Sequence, residues 1–275
     1  MPEYPEVEAL RELLEARVSG KLVAKAGPAH LATLKTIDPP LNSLEGATLA
    51  APLRRGKHLL FPVMADDLVL HVHQMSAGRI SILEPGVAGP KRPAFSLTLG
   101  NGDRLIMTER GSKKRARVGL YRADALNEEL SHLGPEAYDI TDDALAAALK
   151  AESRRLHSLL RDQRALAGIG RAWANQILNR SKLSPYALSG SLDPDEVQRL
   201  GVAIRSSLSE GLDARRAGKS DKQVCTVHKR LDEPCPNCAT ALAQVDFEEH
   251  TIFYCAACQT NGRRLKDRRL SRILR

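Results

Sequence analysis

Aromatic residues are scarce: four Phe, five Tyr and one Trp make up only 4% of the 275 positions. So few rings argue against a surface built from rows of stacked aromatics, a common platform for single-stranded nucleic acid. The sequence nowhere stays apolar and uncharged for the roughly 20 residues that a helix needs to cross a bilayer. Near its start it lacks a basic segment followed by an apolar run, so no secretory leader is expected. Cysteine is missing until Cys225, which argues against a fold stapled by disulfides. These absences predict a cytoplasmic protein with no membrane partner, associated with the nucleoid if the source is a bacterium.

What is present is charge. Lys and Arg number 41 against 33 Asp and Glu, a formal net charge of +8, which favours an anionic partner, nucleic acid before membrane. Hydrophobic residues at 43% and charged residues at 27% describe a globular chain. Its length suffices for two domains, or for one large and one small.

Four of the five cysteines form two pairs, Cys235-Pro-Asn-Cys238 and Cys255-Ala-Ala-Cys258, with sixteen residues between them. That spacing reads as a four-thiolate site for one Zn2+, each pair making a knuckle and the intervening stretch a hairpin. Two disulfides are the alternative reading. Four sulfur ligands leave no open position, so the metal is structural. Cys225 falls outside the spacing.

At the other end stands Met1-Pro2-Glu3. The small Pro2 permits removal of Met1, which exposes a secondary amine with a pKa near 7.7–8.0, a value of about the α-amino reference. A neutral amine attacks an aldehyde-level carbon and forms an iminium, and the adjacent Glu3 could move the protons. After Glu3, Pro5 suits a first helical turn and Glu6 and Glu8 suit the positive end of the helix dipole. Val7, Leu10, Leu14 and Val18 recur at helical spacing, and Gly20 closes the helix.

From about Lys21 to Tyr121 short strands take over: Leu59–Phe61, Leu68–His73, Ile80–Ile82, Phe95–Leu99 and Arg104–Met107. Gly100-Asn101-Gly102 marks a hairpin, and the whole stretch predicts an antiparallel sandwich. Basic clusters lie at Arg54-Arg55-Gly56-Lys57-His58 and in the loop Gly111–Arg117, which is well made for phosphates. Beyond Leu133-Gly134-Pro135 the pattern turns helical, with Thr141 as a cap, Ala144–Lys150, Arg155–Arg161, Ala172–Arg180 and Pro194–Leu212. Gly168-Ile169-Gly170 leads directly into one of these helices, whose free N–H groups would bind phosphate.

The order of these motifs resembles the formamidopyrimidine-DNA glycosylase/endonuclease VIII family over the whole chain. The segments that carry the resemblance are Met1–Glu8, Arg54–Lys57, His132–Glu136 and Cys255-x-x-Cys258-Gln259. The resemblance implies an α+β multidomain fold. Residues 1–133 would form a catalytic N-terminal helix and antiparallel β-sandwich, 134–228 a helix-two-turn-helix DNA-binding domain, and 229–275 a zinc ribbon with a basic tail. It further implies a monomeric base-excision-repair DNA glycosylase with AP lyase activity, acting on double-stranded DNA that contains an oxidised base or an abasic site. By the same resemblance the catalytic residues are Pro2, which attacks C1′ of an everted nucleotide, Glu3, the acid and base, and Lys57, which contacts phosphate and assists catalysis. Met75 would help to fill the void left in the duplex. Arg92, Arg115, Arg117, Gly170, Arg171, His250 and Arg263 complete the expected DNA-binding set.

Departures from the family pattern concern recognition. Arg117-Val118 stands where the family has arginine-phenylalanine, and Arg171 replaces the asparagine after Gly168-Ile169-Gly170. His250 occupies an arginine position in the zinc hairpin, so β-elimination is expected to survive better than the δ step, with Arg263 and Arg264 as substitute cations. The short segment between Gly211 and Gln223 makes 8-oxoguanine a less favoured substrate than oxidised pyrimidines, hydantoins, formamidopyrimidines or bare abasic sites. These departures motivate a second reading, a damaged-DNA or abasic-site binding protein with lyase-only or no catalytic activity.

Overall fold

The computed structural model describes residues 1–111, 113–247 and 250–266; Ser112 of the basic loop and Arg268 and Arg269 of the tail lie outside the described residues. The chain divides into two compact units, Met1–His132 and Leu133–Arg275. Among the described residues no helix is long and apolar enough to cross a membrane.

The first unit opens with helix α1, Tyr4–Val18. Glu3 caps it in a reciprocal box with Glu6: the Glu3 N–H donates to Glu6 Oε2 at 2.9 Å, and the Glu3 side chain accepts from the Glu6 N–H. Pro5 sits in the first turn, where its missing N–H costs nothing. The helical spacing delivers Val7, Leu14 and Val18 to the core, with Leu10 packed at its margin.

The strands follow as β1 (Val23–Ala29), β2 (Leu53–Arg55), β3 (His58–Pro62), β4 (Leu68–His73), β5 (Gly78–Leu83), β6 (Phe95–Leu99), β7 (Arg104–Glu109) and β8 (Arg117–Arg122). They form two four-stranded sheets, ordered β1-β6-β7-β5 and β2-β3-β4-β8. Every pairing is antiparallel, and one core joins Phe95, Leu97, Leu105 and Met107 of one sheet to Phe61, Leu70, Val72 and Leu120 of the other. This is the expected sandwich. Helix α2, Ala123–Leu130, packs on β4 and β8.

The second unit carries α3 (Asp142–Ala151), α4 (Leu156–Arg161), α5 (Arg171–Arg180), α6 (Pro194–Arg216) and α7 (Asp221–Val224). Thr141 Oγ1 accepts the Ala144 N–H at the start of α3, as its sequence position predicts. Asp193 and Glu196 box the start of α6, which runs one turn beyond the expected Leu212. At Gly211 a Cβ atom would stand 2.1 Å from the Trp173 ring, so α5 and α6 meet closely only because that position is glycine. A hairpin of β9 (Ala243–Phe247) and β10 (His250–Tyr254), then α8 (Ala256–Thr260), complete the unit.

Candidate active site and metal centre

Pro2 lies one residue ahead of the Glu3 cap, half-buried, at the positive end of α1. Glu3 itself is buried. On the sheet side, Gly56 and Lys57 are the two loop residues between β2 and β3, with Arg55 paired to His58 across the hairpin. Gly56 has φ +56°, which the first position of such a tight turn demands and which glycine adopts without strain. Lys57 is therefore fixed directly after it. It is 4% exposed, so it is not the solvated strand end that a basic cluster usually makes.

One side chain ties the two pieces together. Arg54 donates through Nε to Glu8 Oε2 of α1 at 2.7 Å, and its guanidinium lies 4.5 Å from the centre of the Tyr4 ring. Its Nη1 also donates to Gly56 O at 3.0 Å. The start of α1, with Pro2 and Glu3, is thereby clamped to the turn that carries Lys57. Nothing local in the sequence shows this, because Arg54 and Glu8 are 46 residues apart.

Met75 follows β4, half-buried, in a left-handed conformation at φ +49°. Its N–H donates to His73 Nδ1, and the rings of His73, His58 and His71 pack on one another; His58 and His73 centroids lie 4.3 Å apart and His58 Nδ1 is 2.7 Å from His71 Nε2. Sequence reading overlooked this cluster, whose only trace is three histidines on adjacent strands. Burial comes first and neighbouring charges second in lowering His71 to about 4 and His73 to about 3, so both rings are neutral near pH 7.

The basic loop is built rather than merely exposed. Buried Glu109 accepts the N–H groups of Arg115 at 2.8 Å and of Ala116 at 3.1 Å, while Lys114 Nζ donates to Glu109 O and Gly111 O. Arg92, Arg115 and Arg117 all expose their side chains, with Arg117 Nη1 3.8 Å from Glu129 Oε1. Val118, which stands where the family has phenylalanine, is a fully buried strand residue paired with Val72 in the sandwich core, because the strand alternation that sends Arg117 outward sends Val118 inward.

In the second unit Gly168 takes φ +103° and Gly170 caps α5. The turn is closed by Gln163, whose Nε2 donates to Ile169 O at 2.8 Å and whose Oε1 accepts the Gly168 N–H at 3.0 Å. Gly134 donates to Gln163 O, and a Cβ there would lie 2.4 Å from Arg164 O, which explains the glycine in Leu133-Gly134-Pro135. Arg171, the first residue of α5, is exposed.

His250 opens β10. Its Nε2 lies 2.5 Å from Arg161 Nη1, and the buried His157 ring stacks on it at 5.3 Å between centroids. A guanidinium is therefore present beside His250, supplied from α4. Arg263 is exposed after α8.

The sulfurs of Cys235, Cys238, Cys255 and Cys258 all lie within 4.8 Å of one another. The Cys235–Cys258 and Cys238–Cys255 separations are 4.0 and 3.5 Å. A tetrahedral ion with metal–sulfur bonds of about 2.3 Å sets its sulfurs about 3.8 Å apart, so the four residues fit a metal. Backbone N–H groups of Asn237 and Cys258 point at Cys235 and Cys255 sulfurs, which suits thiolates. Gln259 links the ribbon to the helices: it accepts from Asn179 Nδ2 and the Cys255 N–H and donates to Leu183 O. Cys225 stands apart, buried.

Comparison with known proteins agrees with this construction. The formamidopyrimidine-DNA glycosylase N-terminal domain matches residues 1–113, and the formamidopyrimidine-DNA glycosylase H2TH domain matches residues 133–223. Fold and site thus define the class of helix-two-turn-helix DNA glycosylases. The formamidopyrimidine-DNA glycosylase of Moorella thermoacetica is 33% identical, over 89% of this chain and 94% of that protein. That of Chloroflexus aggregans is 30% identical, over 94% and 98%. The chain belongs to the formamidopyrimidine-DNA glycosylase family. The crystal structure of the Lactococcus lactis enzyme, non-covalently bound to DNA containing an AP site, shares the fold: TM-score 0.84 at 22% identity, over 94% of this chain and 99% of that one.

Proposed function

We propose that this protein is a bifunctional DNA glycosylase and AP lyase of base excision repair, acting on double-stranded DNA with an oxidised base or an abasic site. The observation that carries the reading is the clamp by Arg54, which fixes Pro2 and the Glu3 cap against the buried Lys57 turn. With Met1 removed, the Pro2 nitrogen attacks C1′ and the base leaves with the glycosidic electron pair. Glu3 handles protons, and the sugar ring opens to an iminium. Loss of a C2′ proton forms an enamine, its electron pair draining through C1′ to the nitrogen; the enamine then returns the pair, forming C2′=C3′ and expelling the 3′ phosphate with the C3′–O pair. Water then hydrolyses the iminium and frees Pro2.

Met75 enters the void, while Arg92, Arg115, Arg117, Gly170, Arg171, His250 and Arg263 meet phosphates. Within the second unit, 134–228 is the DNA-binding part and 229–275 comprises the zinc ribbon and the basic C-terminal tail. Zinc is the metal that four soft thiols select, and it would hold the ribbon's shape without taking part in the chemistry. β-elimination dominates over the δ step, because histidine replaces a permanent, forked cation at position 250 and its Nε2 is in contact with Arg161 Nη1.

The lesion preference rests on α6 and α7. Only Ala217–Ser220 separates them, so no long loop is available there to cover 8-oxoguanine. Duplexes with single lesions test the reading: release of oxidised pyrimidines, hydantoins or formamidopyrimidines should exceed that of 8-oxoguanine. The burial of Val118 favours the second reading, a lyase-only or binding protein. Cleavage of abasic DNA without release of any base, or binding with neither, would establish it instead.

A further inference from the structure

The turn after β4 is held by an unusual donor–acceptor pair. Met75 adopts φ +49°, a conformation that side-chain-bearing residues rarely take without a local partner. The Gly78 N–H donates to Gln74 O at 2.9 Å, and a Cβ at position 78 would stand 2.4 Å from that oxygen, so the turn closes only over glycine. The Met75 N–H donates to His73 Nδ1 at 3.1 Å. That contact requires the Nδ1 lone pair and places the ring proton on Nε2.

The His73 ring is itself packed. It lies against His58, the residue after Lys57, and His58 shares a 2.7 Å contact with His71, in which one nitrogen donates and the other accepts. Tyr121 of β8 presents its edge to His71 at 5.8 Å. The cations acting on this cluster are Lys57 beside β3 and Arg117 on β8, with Glu129 paired to Arg117; the titratable ring of His132, beyond α2, faces His58. Burial and these cations keep His73 neutral, so its lone pair is available throughout the neutral range.

We infer that His73 is a positioning residue: its Nδ1 fixes the Met75 amide, and the His58 and His71 rings lock it to the Lys57 turn. The attacking site and the void-filling side chain are thus set relative to each other by one stack of neutral imidazoles. The inference rests on Met75 entering the duplex, as proposed above.

The test uses full-length, metal-loaded protein and a duplex carrying a tetrahydrofuran abasic analogue beside 2-aminopurine, whose fluorescence rises when its stack is broken. Met75→Ala should weaken binding about tenfold and suppress the fluorescence rise. His73→Phe keeps the ring volume but has no acceptor, and should repeat both losses. His73→Asn should stay within about threefold of wild type, because its Oδ1 accepts the N–H two residues on, as in an Asx turn. Thermal midpoints measured alongside separate packing from positioning, since the shorter Asn is the less stabilising filler. Should binding follow stability, with Asn worse than Phe, the assignment of His73 is overturned. Impairment of Met75→Ala with an unaffected His73→Phe overturns it too. A silent Met75→Ala removes the reading of Met75 itself, and the inference with it.

Discussion

Pro2 is useful as an attacking group only where its nitrogen sits. Substituting Pro2→Leu retains Met1 behind the larger side chain and moves the terminal amine one residue away. A displacement on that scale should reduce covalent capture of abasic DNA more than about a hundredfold, while affinity for a tetrahydrofuran duplex stays nearly intact. Equal loss of both would make Pro2 a structural residue. Arg54 is the second residue-level test. Arg54→Met removes its bond to Glu8 and its contact with Tyr4, leaves Glu8 with Arg11, and should cost about 2 kcal/mol in urea unfolding, with kcat falling more than KM rises. An unchanged kcat would show that the clamp is dispensable. Pro2, Glu3, Lys57 and Met75 were open to nomination from the sequence because each belongs to a short local pattern. Arg54, Gln163 and Arg161 were not, because what they hold is defined by folding: Arg161 meets His250 from 89 positions away.

Among the elements, the sandwich strands with alternating apolar residues were readable, and three others were not. β2 is three residues with two arginines, and β1, with Gly27 and register shifts, gains its form from pairing with β6. β8 follows a basic run that masks its apolar alternation. The β3–β4 face also has an acid sensitivity. His71 at about 4 and His73 at about 3 lie below the ordinary 6.5, because burial disfavours their charged forms. The unfolded chain therefore takes up protons first as pH falls. Stability is full above about 6.5 and declines toward the folded values, by up to about 1.4 kcal/mol per pH unit for each histidine. Urea midpoints between pH 6.5 and 5 should fall, and His71→Phe should flatten the slope; an unchanged slope would contradict the assignment. In the ribbon, Cys238→Ala should lose metal, thermal stability and DNA affinity together, because the hairpin folds around the ion and Gln259 ties it to Asn179. Native protein carrying far less than one zinc per chain would argue against a structural metal.

At the scale of the molecule, a basic chain of two units carries its proposed site residues in both: Pro2, Glu3, Lys57 and Met75 in one, Gly170, Arg171, His250 and the four cysteines in the other. The motif order made this division readable, whereas the fate of the departures from the family pattern required coordinates. Val118 went into the core, and His250 on β10 acquired an arginine from helix α4. The opening Met1-Pro2-Glu3 and the Lys57 turn keep the family pattern, and the two are proposed to act together. Borohydride reduction during reaction with abasic-site DNA tests that directly. The account predicts a covalent protein–DNA adduct whose peptide mass places the sugar remnant on the Pro2 nitrogen. Absence of any adduct from protein with a processed N-terminus and tight binding to the same duplex would contradict it.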